Sequence, residues 1–178
     1  MADFVTFVAQ AVMKQQEIGA FFPSSNVLTD TMLRPINFKT AKHIVELGPG
    51  TGTMTKVLLE RMAKDCRLTV IEINKSFCKK IRQIHDKRLH VIEGNARDLS
   101  SHIKKAEYVV SGLPLHNFPL AFHETILREV KKVATIAYIQ FHTLPKREQL
   151  RQKYFTVTQR KHVLRNIPPS FVYVLTPR

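Results

Sequence analysis

The stretch Val-Glu-Leu-Gly-Pro-Gly-Thr-Gly, residues 45–52, decides the fold of this chain. The apolar run 43–47 predicts a buried β-strand, and residues 53–64 predict a helix because their apolar side chains recur at helical spacing. Glycines between a strand and a helix allow a tight turn and let a ligand approach main-chain N–H groups closely. We therefore expect a βαβ unit with a ligand site at the carboxyl end of its first strand.

The rest of the chain repeats this alternation of short apolar runs and helical stretches. Further strands are expected over residues 68–72, 89–92, 108–110 and 134–141, and further helices over residues 75–85 and 119–130. Residues 154–164 and 171–176 alternate as strands do, and the pair Pro168-Pro169 between them indicates a closing hairpin. The pattern predicts an α/β fold with a mostly parallel sheet.

Length and composition limit the class of protein. A chain of 178 residues corresponds to one domain, with 1–35 as an N-terminal helical segment and 43–178 as the core. No apolar run has the roughly 18–20 residues of a membrane-spanning helix, and the first residues do not read as a signal peptide. The two cysteines form no metal-binding pattern, so we expect no metal and two reduced thiols in a cytoplasmic protein.

The charge is unusual. Lys and Arg number 28 against 14 acidic residues, a formal net charge of +14. Residues 131–178 carry most of the imbalance, because Glu148 is their single acid. Such an excess attracts the protein to a polyanion, either nucleic acid or an anionic lipid surface, unless it only keeps the protein soluble.

The first 17 residues predict an amphipathic helix. Its apolar positions are Phe4, Phe7, Val8, Ala11 and Val12, with helical spacing. This helix either packs on the sheet or lies on a membrane surface, and periodicity alone favours neither.

The glycine stretch resembles motif I of the class I S-adenosylmethionine (SAM)-dependent methyltransferases more than the G-x-G-x-x-G of NAD enzymes, because the acidic Glu46 precedes it. The resemblance implies that Glu46 lies near the cationic methionine part of SAM. Glu72, 20 residues after Gly52, then accepts from the ribose hydroxyls. At 95–96, where such enzymes often have Asp-Ala, Asn95 is a candidate adenine contact. The candidate cofactor-binding residues are Glu46, Gly48, Gly50, Thr51, Gly52, Glu72, Ile73, Asn95, Ala96 and Ser111.

A second loop, residues 111–115, follows the strand at 108–110 and reads Ser-Gly-Leu-Pro-Leu. Methyltransferases that act on amino groups commonly have a polar-x-Pro loop there, which holds the acceptor nitrogen in line with the methyl group. The candidate catalytic residues are Ser111, Gly112, Leu113, Pro114 and His142. His142, His116 and Tyr138 are candidate proton acceptors, although a lone histidine is more often structural.

The whole chain resembles the bacterial phospholipid N-methyltransferases, which methylate phosphatidylethanolamine with SAM. The resemblance rests on residues 18–25, 46–52, 111–115 and 139–141 together with 166–173. It implies a monomeric Rossmann-like domain with a seven-stranded sheet, acting on phosphatidylethanolamine and its methylated intermediates at the cytoplasmic face of an anionic membrane. It also implies that SAM becomes S-adenosylhomocysteine (SAH), that the N-terminal helix holds the membrane, and that Phe22, Ser24 and Ser25 cover the cofactor pocket.

Two other functions remain open from the sequence. The phospholipid enzymes are similar to the ribosomal RNA adenine dimethyltransferases, whose second loop reads Asn-Leu/Ile-Pro-Tyr. Here Leu115 replaces the aromatic residue that would stack on a flipped adenine. A non-catalytic basic module that retains the fold is the third possibility, and the retained Glu46 and Glu72 argue against it.

Overall fold

The computed structural model describes residues 24–143, 147–164 and 169–178. In these ranges the helices are α1 (Ser24–Leu33), α2 (Thr53–Arg61), α3 (Lys75–Ile81), α4 (Leu99–His102), α5 (Leu120–Val133) and α6 (Glu148–Tyr154), with 3₁₀ turns at Ala96–Asp98 and Leu115–Asn117. The strands are β1 (His43–Leu47), β2 (Arg67–Glu72), β3 (Leu89–Glu93), β4 (Ala106–Ser111), β5 (Ala134–His142), β6 (Phe155–Val163) and β7 (Ser170–Pro177).

The seven strands form one sheet in the order β3-β2-β1-β4-β5-β7-β6. Strands β1 to β5 are parallel, whereas β7 runs antiparallel to both β5 and β6. This confirms the expected mostly parallel sheet with an antiparallel C-terminal hairpin. The strand order reverses between β1 and β4, and the carboxyl ends of strands at such a switch point are where open α/β sheets bind ligands.

The sheet is buried on both faces, which explains why its central strands are continuous apolar runs. One core lies under α4 and α5 and includes Leu47, Val109 and Ile126. The other core lies under α1 and α2 and includes Leu33 and Leu58. Only the edge strand β6 is mostly exposed, and its Arg160 and Lys161 are the kind of charged residues that protect a sheet edge from further pairing.

The helix bounds differ from the sequence expectation where the backbone leaves the helical region. The helix expected over residues 53–64 ends at Arg61, because Met62 is extended, with ψ 149°. The helix expected over residues 75–85 ends at Ile81, after which the Ile84 N–H bonds to the Ile81 carbonyl in a tighter turn. The helix expected over 119–130 continues to Val133, and α4 and α6 were not expected.

The amphipathic helix expected over residues 1–17 lies outside the described residues, as does Phe22. Helix α1 occupies the later part of the expected helical segment, beginning at Ser24 and packing on the second core through Met32 and Leu33. Within the described ranges, no helix combines the length and apolar character needed to cross a membrane.

Candidate active site

The glycine loop after β1 is a tight backbone cradle. Gly48, Gly50 and Gly52 have φ values of 66°, 56° and 83°, a region that side chains disfavour. A Cβ atom on Gly48 would meet the Leu113 side chain at 2.4 Å, so the second loop packs directly on the first. The Gly52 N–H donates to the Pro49 carbonyl at 3.0 Å, which closes the turn into α2.

Glu46 is fully buried at the end of β1, beneath this loop. Its Oε2 accepts a hydrogen bond from Thr55 Oγ1 of α2 at 2.7 Å. Its Oε1 has no hydrogen-bond partner. Burial raises the pKa of Glu46 to about 8, and the nearby Glu72 carboxylate adds to the rise. A buried carboxylate with one unpartnered oxygen is suited to receive a cationic donor.

Glu72 ends β2 and links the glycine loop to the start of α3. Its Oε2 accepts from the Gly50 N–H at 3.1 Å, and its Oε1 accepts from the Asn74 N–H at 2.8 Å. Burial raises its pKa, while these backbone donors act in the opposite direction. Each carboxylate oxygen keeps a second lone pair, so the pair of oxygens can still accept from two adjacent hydroxyls.

The segment after β3 holds the remaining expected cofactor contacts. Asn95 caps the 3₁₀ turn, and its Oδ1 accepts from the Arg97 N–H at 3.0 Å. Ala96 is buried, and Ile73 packs against the same core. The Asn95 side chain is thus fixed by its own turn, with one lone pair left on Oδ1. Its contact with adenine stays a prediction.

The second loop lies against the first through backbone contacts. The Gly112 N–H donates to the Leu47 carbonyl at 2.8 Å, and a Cβ on Gly112 would meet the Gly48 carbonyl oxygen at 2.7 Å. Ser111 is fully buried, and its Oγ accepts from the Leu113 N–H at 3.3 Å. Leu115 is also fully buried, in the core beneath α5. The residue after Pro114 is therefore a core side chain here.

His142 ends β5 in a cluster of polar side chains that the sequence did not reveal. Its ring centroid lies 5.2 Å from that of His123 and 6.0 Å from that of His116. Its Nε2 is 3.4 Å from Nη1 of the fully buried Arg151. Burial, with the charge of Arg151 adding to it, lowers the pKa of His142 to about 2, so its ring is neutral.

One signal in the sequence pointed toward this cluster. Tyr138, Gln140 and His142 alternate along β5, so their side chains share one face of the sheet. Their partners come from α5, just before β5 in the chain, and from α6 and β7, after it, and the fold brings these side chains together.

The geometry fits the cofactor that the sequence implies. Glu46 has one unpartnered carboxylate oxygen, Oε1, and the adjoining glycine loop has no room for a side chain at Gly48. Glu72 stands on the neighbouring strand, since Leu47 pairs with Ile71. Thr51 of the glycine loop is only half-buried, and its hydroxyl lies 3.3 Å from that of Thr53.

Comparison with known proteins identifies the chain as a methyltransferase, both by a family model and by similar sequences. Residues 44–135 match a family described as a methyltransferase domain. Over 97% of its length, and 95% of the relative's, the chain is 33% identical to an ornithine lipid N-methyltransferase from Singulisphaera acidiphila. It is 29% identical to ribosomal RNA small subunit methyltransferase A from Variovorax paradoxus, over 64% of the chain and only 45% of that relative.

Solved structures share the fold at low sequence identity. A 1,6-didemethyltoxoflavin-N1-methyltransferase from Burkholderia thailandensis with bound SAH aligns with a TM-score of 0.79 and 13% identity, covering 99% of this chain and 88% of that one. The N-methyltransferase NodS from Bradyrhizobium japonicum, also with SAH, aligns with a TM-score of 0.71 and 13% identity over 88% and 89% of the two chains.

Proposed function

We propose a substrate for this chain, which belongs to the class I SAM-dependent methyltransferases: the primary amine of a membrane-lipid headgroup. The relationship that carries the proposal is the 33% identity to a lipid N-methyltransferase across nearly the full length of both chains. Two features of the chain agree with it, the form of the second loop and the basic C-terminal third.

The roles of the residues follow from their geometry. When bound, SAM supplies an activated methyl group on a sulfonium cation. Glu46 would hold the ammonium of its methionine part, and Glu72 would hold the ribose hydroxyls. Ser111 and the carbonyls of residues 112–114 would orient the acceptor nitrogen, so catalysis comes mostly from positioning. The acceptor ammonium loses its proton before it reacts, and the neutral His142 ring would not repel the amine.

The acceptor we favour has a primary amine beside an anionic group. Phosphatidylethanolamine meets this description, with a phosphate next to the amine, and its partly methylated products keep that phosphate beside a secondary or tertiary amine. Ornithine lipid, named in the relative's description, meets it with a carboxylate. The two lipids share the chemistry that the reaction needs, and the experiment below distinguishes them.

Adenine methylation on ribosomal RNA is the second candidate, because ribosomal RNA methyltransferases are also relatives. The chain spans about half of their length. In the second loop, Gly112 has no room for a side chain, and Leu115 is buried in the core. The loop therefore offers neither the Asn nor the stacking aromatic of the adenine enzymes, which favours the lipid.

Peripheral attachment to the inner face of the membrane is part of the proposal. The net charge of +14 favours an anionic surface, and exposed cations such as Arg160 and Lys161 lie on the edge strand β6. The N-terminal residues 1–17 would add an apolar anchor, which substitution of Phe4, Phe7 and Val8 by Ser would weaken.

The test supplies methyl-labelled SAM to the purified protein with three acceptors in parallel. They are anionic vesicles containing phosphatidylethanolamine, the same vesicles containing ornithine lipid, and ribosomal RNA from a strain that lacks the modification. Glu46→Gln serves as the inactive blank. Glu60→Gln is the matched control, because it removes a carboxylate from the exposed side of α2.

We expect label in one or both lipids with the wild-type and Glu60→Gln proteins and none with Glu46→Gln. The ratio of label in the two vesicle preparations identifies the preferred headgroup. Label in RNA and none in lipid would replace the lipid proposal with RNA methylation, while leaving the cofactor site unchanged.

A further inference from the structure

A row of paired residues leads away from Ser111 across the sheet. Ser111 of β4 lies opposite Gln140 of β5, and Gln140 lies opposite Tyr173 of β7. Directly paired residues on adjacent strands point to the same face, and adjacent strands are about 4.8 Å apart. The Gln140 and Tyr173 side chains therefore follow Ser111 on the α5 side of the sheet, at distances on the order of a lipid headgroup.

Several polar groups along this row are buried and have no hydrogen bond of normal geometry. They are both amide atoms of Gln140, both ring nitrogens of His123, and the hydroxyls of Tyr138 and Tyr173. All four residues are fully buried, and their weaker polar contacts stay within the site: His123 with Gln140, Tyr138 with Ser111 and Tyr173 with Arg151. Buried polar groups that are incompletely satisfied cost stability, so a concentration of them beside a candidate active site indicates a polar ligand that completes them.

The charge around the row is positive. Arg151, fully buried on α6, places its guanidinium carbon 3.9 Å from the centroid of the Tyr173 ring. Burial and then the charges of Arg147 and Arg151 lower the pKa of His123 to about 3, so its imidazole is neutral. Burial lowers the pKa of Arg151, and the charge of Glu148, which forms a 3.3 Å ion pair with Arg160, acts in the opposite direction. The site thus combines the buried positive charge of Arg151 with neutral hydrogen-bonding groups such as the His123 ring.

We propose that Gln140, His123, Tyr173 and Arg151 bind the anionic group of the acceptor, a phosphate or a carboxylate, next to the amine held at Ser111. This inference rests on the proposed function and adds a specificity site to it. Donor groups around a guanidinium are the usual partners of such anions. No group of three or more His, Cys, Asp or Glu residues in the described part of the chain is arranged to hold a metal ion, so a cation is not the expected occupant.

The first measurement compares three acceptors in mixed micelles with the wild-type protein. Phosphatidylethanolamine supplies a phosphate, ornithine lipid supplies a carboxylate, and a diacylated aminopropanediol has a primary amine with no anionic group. At neutral pH the third lipid is cationic, whereas the other two are zwitterionic. We expect the KM of this lipid without an anion to exceed that of the better zwitterionic lipid by tenfold or more. Equal KM values for all three lipids would overturn the inference.

Tyr173→Phe separates a ligand role from a structural one. Its hydroxyl has no hydrogen bond of normal geometry and contacts Arg151 only weakly, so the substitution should change the midpoint of urea unfolding little. If the hydroxyl binds the anion, the KM of the better zwitterionic lipid should rise at least threefold while that of the lipid without an anion stays the same. The matched control is Tyr154→Phe, because Tyr154 donates to Glu124 at 2.6 Å and should lose stability with unchanged KM values.

Arg151→Met should raise the KM of the better zwitterionic lipid further, by tenfold or more, and abolish its preference over the lipid without an anion. Arg128→Met removes one charge from the exposed side of α5 and should keep the preference.

A titration of the SAH complex with dihexanoylphosphatidylethanolamine, followed by phosphorus NMR, should show binding that Tyr173→Phe weakens. If Tyr173→Phe changes neither the affinity for this lipid nor the KM values, the proposed anion site is wrong. If wild-type protein methylates no lipid, the proposed function and this inference fail together, whereas methylation indifferent to the anion refutes the inference alone.

Discussion

At the scale of single residues, the buried Glu46 carboxyl group leads us to expect a pH dependence. Burial raises the pKa of Glu46 to about 8, so without a bound cation the group is mostly protonated near neutral pH. If, as we propose, an ammonium group lies beside its unpartnered Oε1, the ionised form is favoured. Binding of SAM or SAH should then be linked to release of a proton from Glu46.

This linkage predicts the pH dependence of SAH binding. The affinity should rise between about pH 6 and pH 8, by up to about tenfold per pH unit, because below the raised pKa a proton must leave Glu46 before it can bind the cation. Calorimetric titration in two buffers of different ionisation enthalpy measures the proton released. Glu46→Gln should bind more weakly and release none, and proton uptake by the wild-type protein would contradict the assignment.

The contact between the two loops gives a second prediction at this scale. A methyl group on Gly112 would meet the backbone oxygen of Gly48 at 2.7 Å, and backbone cannot swing away as a side chain does. Gly112→Ala should therefore cost about 1–3 kcal/mol of unfolding free energy, measured with urea, and weaken SAH binding by displacing the glycine loop. Gly94→Ala is the control, since its new methyl would meet the movable end of the His102 side chain at 3.1 Å and the Ile92 side chain at 3.4 Å, an ordinary van der Waals distance. An equal loss of unfolding free energy in the two variants would show that the contact between Gly112 and Gly48 is not tight.

At the scale of elements, Arg88 ties the start of β3 to the end of α2. Its guanidinium donates to the carbonyls of Leu59 at 2.8 Å and Met62 at 2.9 Å, and it pairs with Asp86. The last carbonyls of a helix have no partners within the helix, so these bonds complete its C-terminal turn.

We expect Arg88→Met to lower the free energy of unfolding by about 2 kcal/mol, because hydrogen bonds from a charged donor are worth more than neutral ones. Urea unfolding measures the loss. Arg82→Met is the matched control, since Arg82 makes one exposed contact with the Val91 carbonyl at 3.5 Å and should cost little. A midpoint that falls equally in both variants would argue against the capping role.

The elements also show how far sequence reasoning reaches. The parallel strands could be predicted because strands buried on both faces are continuous apolar runs in the sequence. The loops after β1 and β4 could also be predicted, because they contain glycine and proline. Helix α6 could not, since Glu-Gln-Leu-Arg-Gln-Lys-Tyr has no apolar stripe. The sequence alone therefore gives no reason to expect that Arg151 is buried rather than exposed. The unpartnered groups around it depend on the pairing of β5 with β7, which no local pattern encodes.

At the scale of the whole molecule, the chain is strongly basic while its candidate cofactor site contains two buried carboxyl groups. Glu46 and Glu72 are buried at the carboxyl ends of β1 and β2, whereas the cations of the C-terminal third include exposed residues on the edge strand β6. The candidate cofactor site and the exposed positive charge therefore come from different parts of the chain, so each can be tested by its own substitutions.

The distribution of charge predicts which surface meets the membrane. The paired substitutions Arg160→Gln and Lys161→Gln remove two positive charges from β6, and Lys79→Gln with Lys80→Gln removes two from the exposed side of α3. Each basic residue near an anionic bilayer contributes about 1 kcal/mol, so the β6 pair should weaken vesicle binding by roughly tenfold or more if that strand faces the lipid. Sedimentation with vesicles containing anionic lipid measures the affinity, and raising the salt concentration should reduce the difference because screening shortens the reach of the charges. The α3 pair carries the same net change and should have a smaller effect. Equal losses from the two pairs would mean that net charge alone, rather than an oriented surface, draws the protein to the membrane.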